Sequence, residues 1–195
     1  MRNAFRIGDR LYLRPLELAD RDRYLRWIND PEINRYLVHS LPIHEAAEEK
    51  FLRELGERQD EAIFAIALKD DDRHIGGCGL HRIALPARKA ELGIFIGEPD
   101  CWNRGLGREA VGLLLDYGFN RLGLHRIELH VYAYNRRGVR CYERCGFRFE
   151  GALREARFCD GQFHDVLCYG ILEHEYRALE SGEPSRLACV DIALD

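Results

Sequence analysis

The chain is poor in the segments that mark membrane and secreted proteins. No run approaches the roughly 20 apolar residues that a membrane-spanning helix needs. The first residues, MRNAFRIGDRLYLRP, are interrupted by charges and do not resemble a signal peptide. Lysine is also scarce, with only Lys50, Lys69 and Lys89, so the basic residues are nearly all arginines. We expect a cytoplasmic protein with no membrane partner.

The seven cysteines form no pattern typical of a disulfide framework or a zinc site. Their number is odd, and no C-x-x-C pair occurs. Cys141 and Cys145 would share one face of a helix, but two thiols do not complete a tetrahedral site. We therefore expect free thiols in a reducing compartment and no bound metal.

Size and charge point to one soluble domain. With 195 residues, 46% of them hydrophobic and 32% charged, the chain can bury a sizeable core. We expect a domain over residues 1–180 and a loosely ordered tail over residues 181–195. The net charge of −4 argues against a nucleic-acid partner, because domains that bind nucleic acid usually carry a basic excess.

Hydrophobic patterning predicts the element order β-α-α-β-β-β-α-β-α-β-β. The predicted strands cover residues 10–16, 62–68, 74–83, 90–96 and 126–132, and two more form a hairpin around Asp160 and Gly161. The predicted helices cover residues 20–29, where Asp20 would be the cap, 44–58 and 105–122, with a short helix opened by Asn135. This order is typical of a mixed sheet flanked by helices, in the α/β (α+β) class.

The segment WNRGLGREA at residues 102–110 carries the most chemistry. Gly105 and Gly107 open a helix after a strand, and the first N–H groups of a helix favour an anion. Arg104 and Arg108 could add charge-assisted contacts. A plain structural turn is the alternative. A P-loop is excluded because no lysine is near. A dinucleotide-binding turn fits poorly, since eight residues separate Ile96 from Gly105.

A second motif, NRRGVRCYERCGF, covers residues 135–147. Asn135 can cap the helix that follows it. Tyr142 lies seven residues later, on the same helix face. It is either a core residue or a hydrogen-bond donor to a developing charge. The two motifs lie about 30 residues apart, and together they are far more specific than either one alone.

Both motifs resemble those of the Gcn5-related N-acetyltransferases (GNAT). The stretch AELGIFIGEPDCWNRGLGREAVGLLLDYGF is similar to the acetyl-CoA motif (Q/R)-x-x-G-x-(G/A) after a strand, with Trp102 at its first position. The second motif is similar to N-x-x-(A/S)-x-x-x-Y-x-x-x-G-F, with Gly138 in place of alanine or serine. The resemblance spans nearly the whole chain and lies nearest the ribosomal-protein N-terminal and spermidine acetyltransferases.

The resemblance implies a fold, a co-substrate and a set of site residues. It implies a single domain with a mixed sheet of about seven strands whose central strands splay apart, and acetyl-CoA as co-substrate. Positions that would hold the cofactor are Gly93, Ile94, Phe95, Trp102, Asn103, Arg104, Gly105, Leu106, Gly107, Arg108 and Asn135. Tyr142 would donate a proton to the departing thiolate. Family members often dimerise, so a homodimer is possible.

The base and the acceptor are less well defined. Glu91 is the first candidate base because it precedes the cofactor-pairing segment, and a surface glutamate is the alternative. His130 and His81 are weaker candidates. The acceptor is expected to be a protein N-terminus or a small amine such as a polyamine, in a groove lined by residues 31–44. An aminoglycoside acetyltransferase or a non-catalytic acyl-CoA sensor remain alternatives.

Overall fold

The computed structural model describes residues 1–38 and 41–181, which build one mixed sheet with helices on both faces. The strands are β1 (Arg6–Ile7), β2 (Leu11–Pro15), β3 (Ala62–Leu68), β4 (His74–Ala84), β5 (Lys89–Ile96), β6 (Arg126–Tyr132), β7 (Arg148–Cys159) and β8 (Gln162–Leu172). The helices are α1 (Arg21–Asn29), α2 (Pro31–Asn34), α3 (Glu45–Glu54), α4 (Leu106–Asp116), α5 (Arg136–Arg144) and α6 (Glu173–Ser181). Across the sheet the order is β1-β2-β3-β4-β5-β6-β8-β7.

The structure confirms the predicted fold class and corrects its details. The described chain has eight strands rather than about seven, because the two-residue β1 is too short to show a period in the sequence. The helix predicted over residues 44–58 is shorter, and neither α2 nor α6 was predicted. Residues 182–195 of the predicted tail lie outside the described residues.

The central strands β5 and β6 separate, as the resemblance implied. They are the only parallel pair in the described sheet, and their register covers just Lys89–Arg126, Ala90–Ile127 and Glu91–Glu128. Beyond these rungs β5 continues against β4, and β6 continues against β8. The result is a wedge between residues 92–96 of β5 and 129–132 of β6. Its apex is at Glu91, and its mouth is at the ends of the two strands.

The two faces of the sheet carry different cores. Alternation along β5 sends Ala90 and Leu92 toward α4 and α5, and Phe95 toward α1 and α3. On the side of α4, which we call the α4 face, a large apolar cluster includes the buried Phe119. On the opposite side, the α1 face, Trp27 anchors a smaller cluster. The wedge opens between these two layers.

A buried ion cluster joins α1 to the sheet and corrects the role expected for Asp20. No hydrogen bond from its side chain caps α1. Instead its carboxylate accepts two bonds of 2.7 Å from Arg14 and one of 2.9 Å from the Glu17 amide, and it lies 3.0 Å from Nδ1 of His74. Burial would raise the pKa of Asp20, but these donors hold it well below its usual range.

Candidate active site

The glycine-rich turn has the backbone conformation that an anion site at a helix end requires. Asn103 and Gly105 both have positive φ, at 57° and 78°, and α4 begins at Leu106. A Cβ on Gly107 would find its nearest neighbour, Sγ of Cys141, 3.8 Å away. Gly107 is therefore in ordinary van der Waals contact with α5, and the first N–H groups of α4, which have no acceptor within the helix, are available to a phosphate group.

The side chains around this turn have separate roles. Those of Asn103, Arg104 and Arg108 are exposed and flank the helix end, where they can meet a charged ligand. Leu106 is 3% exposed and packs into the core, so only its backbone is available to a ligand. Of the predicted cofactor residues at the turn, Leu106 can therefore offer only its main chain.

Glu109 fixes the turn to β2, a contact that the sequence motif did not reveal. Its carboxylate accepts bonds from the amides of Arg10 (2.7 Å) and Leu11 (3.1 Å) and from Nε of Arg10 (2.9 Å). The Arg10 guanidinium also donates to the carbonyl of Arg104 at 2.8 Å. Burial would raise the pKa of Glu109, but these hydrogen bonds lower it. The carboxylate thus holds the turn in place as an anion.

Trp102, the departure from the family pattern, locks the end of β5. Its indole N–H donates to the carbonyl of Ile96 at 2.8 Å. The guanidinium of Arg137, from α5, lies 3.9 Å from the centre of its ring and 5.6 Å from that of Tyr36. Burial lowers the pKa of Arg137. This stack brings the start of α5 to the mouth of the wedge, and nothing in the sequence had singled out Arg137.

The predicted cofactor-pairing residues Gly93, Ile94 and Phe95 lie on the wedge. Their side-chain positions are fixed from both faces, because Ile94 packs on the α4 face and Phe95 contacts Trp27, 6.0 Å between ring centres. Their backbone edge facing β6 has no ladder partner, since the β5–β6 register ends at Glu91. That edge can pair with an extended chain of amide groups.

The second motif forms α5 as expected. The Asn135 side chain caps it by accepting a bond of 2.9 Å from the Gly138 amide. A Cβ on Gly138 would lie 2.7 Å from Nδ2 of Asn135. Glycine therefore suits this position, where the family pattern has alanine or serine, because it leaves room for the capping side chain.

Tyr142 sits on α5 against the sheet. It is 7% exposed, and its ring packs edge-on to that of Phe147, 6.0 Å between centres. Burial raises its pKa, so the phenol stays protonated. Within residues 1–38 and 41–181 its hydroxyl has no hydrogen-bond partner, which leaves a donor to spare.

The three candidate bases are all on the α1 face, and two of them touch. Oε1 of Glu91 lies 3.0 Å from Nδ1 of His130, and its Oε2 accepts a bond of 2.6 Å from Arg82. His81 is one strand away, with Nδ1 3.2 Å from Glu61. The structure thus joins Glu91 with His130 and leaves His81 in a separate pair.

The segment after α2 crosses the mouth of the wedge on the α1 face. The carbonyl of Leu37 accepts bonds from the Tyr132 hydroxyl (3.2 Å) and from Arg157 (3.3 Å). Arg35 pairs with Asp160 at the tip of the β7–β8 hairpin, at 2.8 Å. This is the segment predicted to line the acceptor groove, although its residues 39 and 40 lie outside the described chain.

No group of three or more His, Cys, Asp or Glu side chains in residues 1–38 and 41–181 is arranged to hold a metal ion. Among the same residues, no helix has the length and apolar character needed to cross a membrane.

A splayed mixed sheet with an anion cradle at a helix N-terminus defines the class of CoA-dependent N-acetyltransferases. The family model described as acetyltransferase (GNAT) domain matches residues 10–148. The chain therefore belongs to the GNAT family and is an N-acetyltransferase.

Named relatives match most of the chain. It is 35% identical to spermidine N(1)-acetyltransferase of Vibrio cholerae over 87% of this chain and 97% of that protein. It is 32% identical to the uncharacterized N-acetyltransferase p20 of Bacillus licheniformis, with 86% and 96% covered. The crystal structure of the Vibrio cholerae enzyme with CoA and spermine has a TM-score of 0.81, 32% identity, and 86% and 98% coverage. Another structure of that enzyme is dodecameric, with a TM-score of 0.75 and 32% identity over 86% and 96% of the two chains.

Proposed function

We propose that this chain transfers the acetyl group of acetyl-CoA directly to a primary amine, with spermidine-like polyamines as the first acceptor class. The observation that carries the proposal is the wedge, whose unpaired β5 edge runs from Glu91 toward the N-terminus of α4. An extended pantetheine arm needs such an edge for its amides, and a diphosphate needs such a helix end. Both lie on one continuous path.

The residues along this path offer the groups that a CoA molecule would bind. Gly105 and Gly107 expose the first amides of α4, and Arg104 and Arg108 flank them with positive charge. Gly93, Ile94 and Phe95 offer main-chain groups along the arm, and Asn135 holds the start of α5 beside it. When bound, the co-substrate supplies an activated thioester carbonyl.

Tyr142 is proposed as the acid. Its hydroxyl is protonated, buried and without a partner in the described chain, so it can donate to sulfur as the thiolate leaves. The core reading of this residue also holds, because its ring packs with Phe147. Tyr142 can have both the packing role and the acid role, with its ring in the core and its hydroxyl at the wedge.

Glu91 is proposed to act in removing the proton from the amine. It lies at the apex of the wedge on the α1 face, across the sheet from α5 and Tyr142. Tyr142 and Glu91 would then act on the reacting groups from opposite faces of the sheet. The amine must reach the carbonyl from the α1 face, which is where the segment after α2 forms a wall.

The pattern of charges favours a second acceptor, a peptide N-terminus with one positive charge. Two acidic groups at the apex of the wedge on the α1 face are already paired with this chain's own cations: Glu91 with Arg82, and Glu128 with Arg126 at 2.9 Å. A polyamine would have to compete with these arginines for the two carboxylates, whereas a single amine needs neither of them. The Vibrio cholerae enzyme's spermine complex supports the polyamine reading.

The test is an acceptor screen that follows thiol release from acetyl-CoA. The panel contains spermidine, spermine, an aminoglycoside and short peptides with free N-termini, and mass spectrometry identifies the product. The same peptides with blocked N-termini are the matched controls. Acetylation of one free amine class supports the proposal, whereas thiol release no faster with any primary amine than without one contradicts it. Light scattering on the same sample measures whether the chain forms the expected homodimer or a larger assembly.

A further inference from the structure

Glu91 and His130 meet at the apex of the wedge. Glu91 is in the last β5–β6 rung, opposite Glu128, and His130 is two residues further along β6. The strands have begun to separate there, yet Nδ1 of His130 reaches to 3.0 Å from Oε1 of Glu91. The pair therefore bridges the narrow end of the gap, where the reactive end of a cofactor lying in the wedge would be.

The other carboxylate oxygen of Glu91 is already used. It accepts a bond of 2.6 Å from Arg82. Arg82 lies at the irregularity between His81 and Ala84 of β4 and has a φ of +50°. Both oxygens of Glu91 therefore already have a partner within this chain, so the side chain is better placed to orient His130 than to reach an amine.

The same contact prepares His130 to accept a proton. A carboxylate beside Nδ1 selects the tautomer in which Nδ1 carries the hydrogen, and this leaves the lone pair on Nε2. Nε2 is on the side of the ring that faces away from Glu91. The His130 side chain is 39% exposed, so that nitrogen can reach a ligand.

The second histidine–carboxylate pair differs in position. His81 has its Nδ1 3.2 Å from Glu61, and its Nε2 lies 3.1 Å from where a Cβ on Gly93 would be. Its ring therefore rests on the backbone of β5, one strand away from β6. It lies over the strand rather than across the gap between the two strands.

We infer that His130 is the catalytic base and that Glu91 is the positioning residue that holds its tautomer. This inference rests on the proposed acetyl transfer. An ammonium acceptor gives one proton to Nε2 of His130, the free amine nitrogen bonds to the acetyl carbon, and the carbon–sulfur bond breaks. The proton of the Tyr142 hydroxyl goes to sulfur, and the second proton lost by nitrogen restores the phenol. One proton, held by His130, leaves to solvent for each amide formed.

Several charged groups surround the pair and enter any pH profile. Glu91 contacts His130 directly, Arg82 bonds to the other oxygen of Glu91, and Glu128 is on the same face of β6. Cys168 of β8 is the register partner of His130, and burial raises the pKa of its thiol. The His81–Glu61 pair lies on the far side of Glu91.

The experiment combines kinetics with a spectroscopic readout that needs no turnover. Wild type, His130→Gln, Glu91→Gln and His81→Gln are compared, with His125→Gln as the control, because that exposed residue precedes β6 at the end remote from the mouth. Nitrogen NMR of the histidine rings reports the His130 tautomer at neutral pH. Titration calorimetry gives acetyl-CoA affinity, and kcat/KM is measured from pH 5.5 to 9 with the best acceptor of the screen.

We expect His130→Gln to lower kcat/KM by about 10²–10⁴-fold and to abolish the acid limb of the profile. Glu91→Gln should lower kcat/KM less than His130→Gln does and should keep the acid limb of the pH profile. In this variant both tautomers of His130 should be populated. His81→Gln should lose less than His130→Gln, and acetyl-CoA affinity should persist in every variant.

Failure of the base assignment and failure of the proposed function give different results. If wild type acetylates an amine but His130→Gln keeps its rate and its acid limb, or if NMR shows the hydrogen on Nε2, the base assignment is wrong and the proposed function stands. If wild type binds acetyl-CoA yet acetylates no amine, the proposed function fails and this inference fails with it.

Discussion

The α4 side of the wedge and the α1 face offer a ligand different kinds of group. On the α4 side the groups are mostly main chain: the first amides of α4 beyond Gly105 and the free edge of β5 beyond Glu91. On the α1 face they are side chains in ion pairs and hydrogen bonds, such as Glu91 with Arg82 and with His130. One region is defined by backbone conformation and the other by charge.

This difference predicts how each region responds to change. A site made of backbone amides survives loss of a neighbouring side chain and fails when the amides are covered. A site made of ion pairs keeps its shape after a conservative substitution but loses its electrostatics. Substitutions on the two sides should therefore separate cofactor binding from acetyl transfer.

The largest effect on kcat is expected from removal of the Tyr142 hydroxyl. Tyr142→Phe removes the proposed donor to sulfur and keeps the ring in the core, so kcat should fall by about 10²–10⁴-fold. Acetyl-CoA affinity should change by less than about threefold, because the proposed cofactor contacts on that side are with backbone groups. Steady-state thiol release and calorimetry measure the two quantities. Tyr169→Phe is the control, since that hydroxyl bonds to Glu143 at 3.0 Å. An unchanged kcat in Tyr142→Phe would contradict the proposal that Tyr142 is the acid.

Asp20→Asn should destabilise the α1 side. It leaves the buried Arg14 and His74 without their anion, and removing one member of a buried ion pair costs about 3–5 kcal/mol. Urea unfolding at pH 7 measures the loss. Asp22→Asn is the matched control, because that aspartate side chain is 82% exposed and its pair with Arg21 should contribute at most about 1 kcal/mol. At temperatures where Asp20→Asn stays folded, acetyl-CoA should still bind.

The same variant has a defined pH dependence. The pKa of Asp20 is lowered in the folded state, so its stabilising contribution is present above the ordinary aspartate pKa of about 3.9 and is lost as pH falls below it. The stability gap between wild type and Asp20→Asn should therefore narrow as the pH is lowered from 7 toward 3.5. A gap that stays constant or widens over this range would show that the charge of Asp20 does not cause it.

The smallest effect is expected at the cap of α5. Asn135→Ala should cost about 1 kcal/mol of stability, whereas Asn135→Asp should restore most of it, because aspartate caps equally well. If Asn135 also contacts the cofactor, both variants will weaken acetyl-CoA binding. If it acts only as a cap, the aspartate variant will bind like wild type. A loss of stability that is equal in the two variants would contradict the capping role.

Most of the fold could be predicted from the sequence because it depends on local patterns. Hydrophobic periodicity indicated the β3–β4 hairpin, α4 and β6, and Asn135 marked the start of α5. The two motifs indicated the cradle and, through family resemblance, the splay of β5 and β6. The two-residue β1 and the separate α6 were missed, since neither has a pattern long enough to stand out.

The ion pairs could not be predicted for a physical reason. The chain has 29 Lys and Arg residues and 33 Asp and Glu residues, and the spacing of these residues does not say which will meet. Glu109 pairs with Arg10 from 99 positions away, and Glu91 pairs with His130 from 39. Asp20 looked like a helix cap, but the nearby Arg14 and the distant His74 compete for the same oxygens. Only the folded register brings these partners together.

The most direct test of the account is titration calorimetry of acetyl-CoA binding to wild type, Gly107→Trp and Gly112→Trp. Gly107 is at the amide cradle, whereas Gly112 is exposed on the same helix with no atom within 4 Å of an added Cβ. Wild type and Gly112→Trp should bind acetyl-CoA, and Gly107→Trp should show no binding although its circular dichroism is that of a folded protein. Equal binding by Gly107→Trp and wild type, or no binding by folded wild type, would contradict the placement of the cofactor at the start of α4.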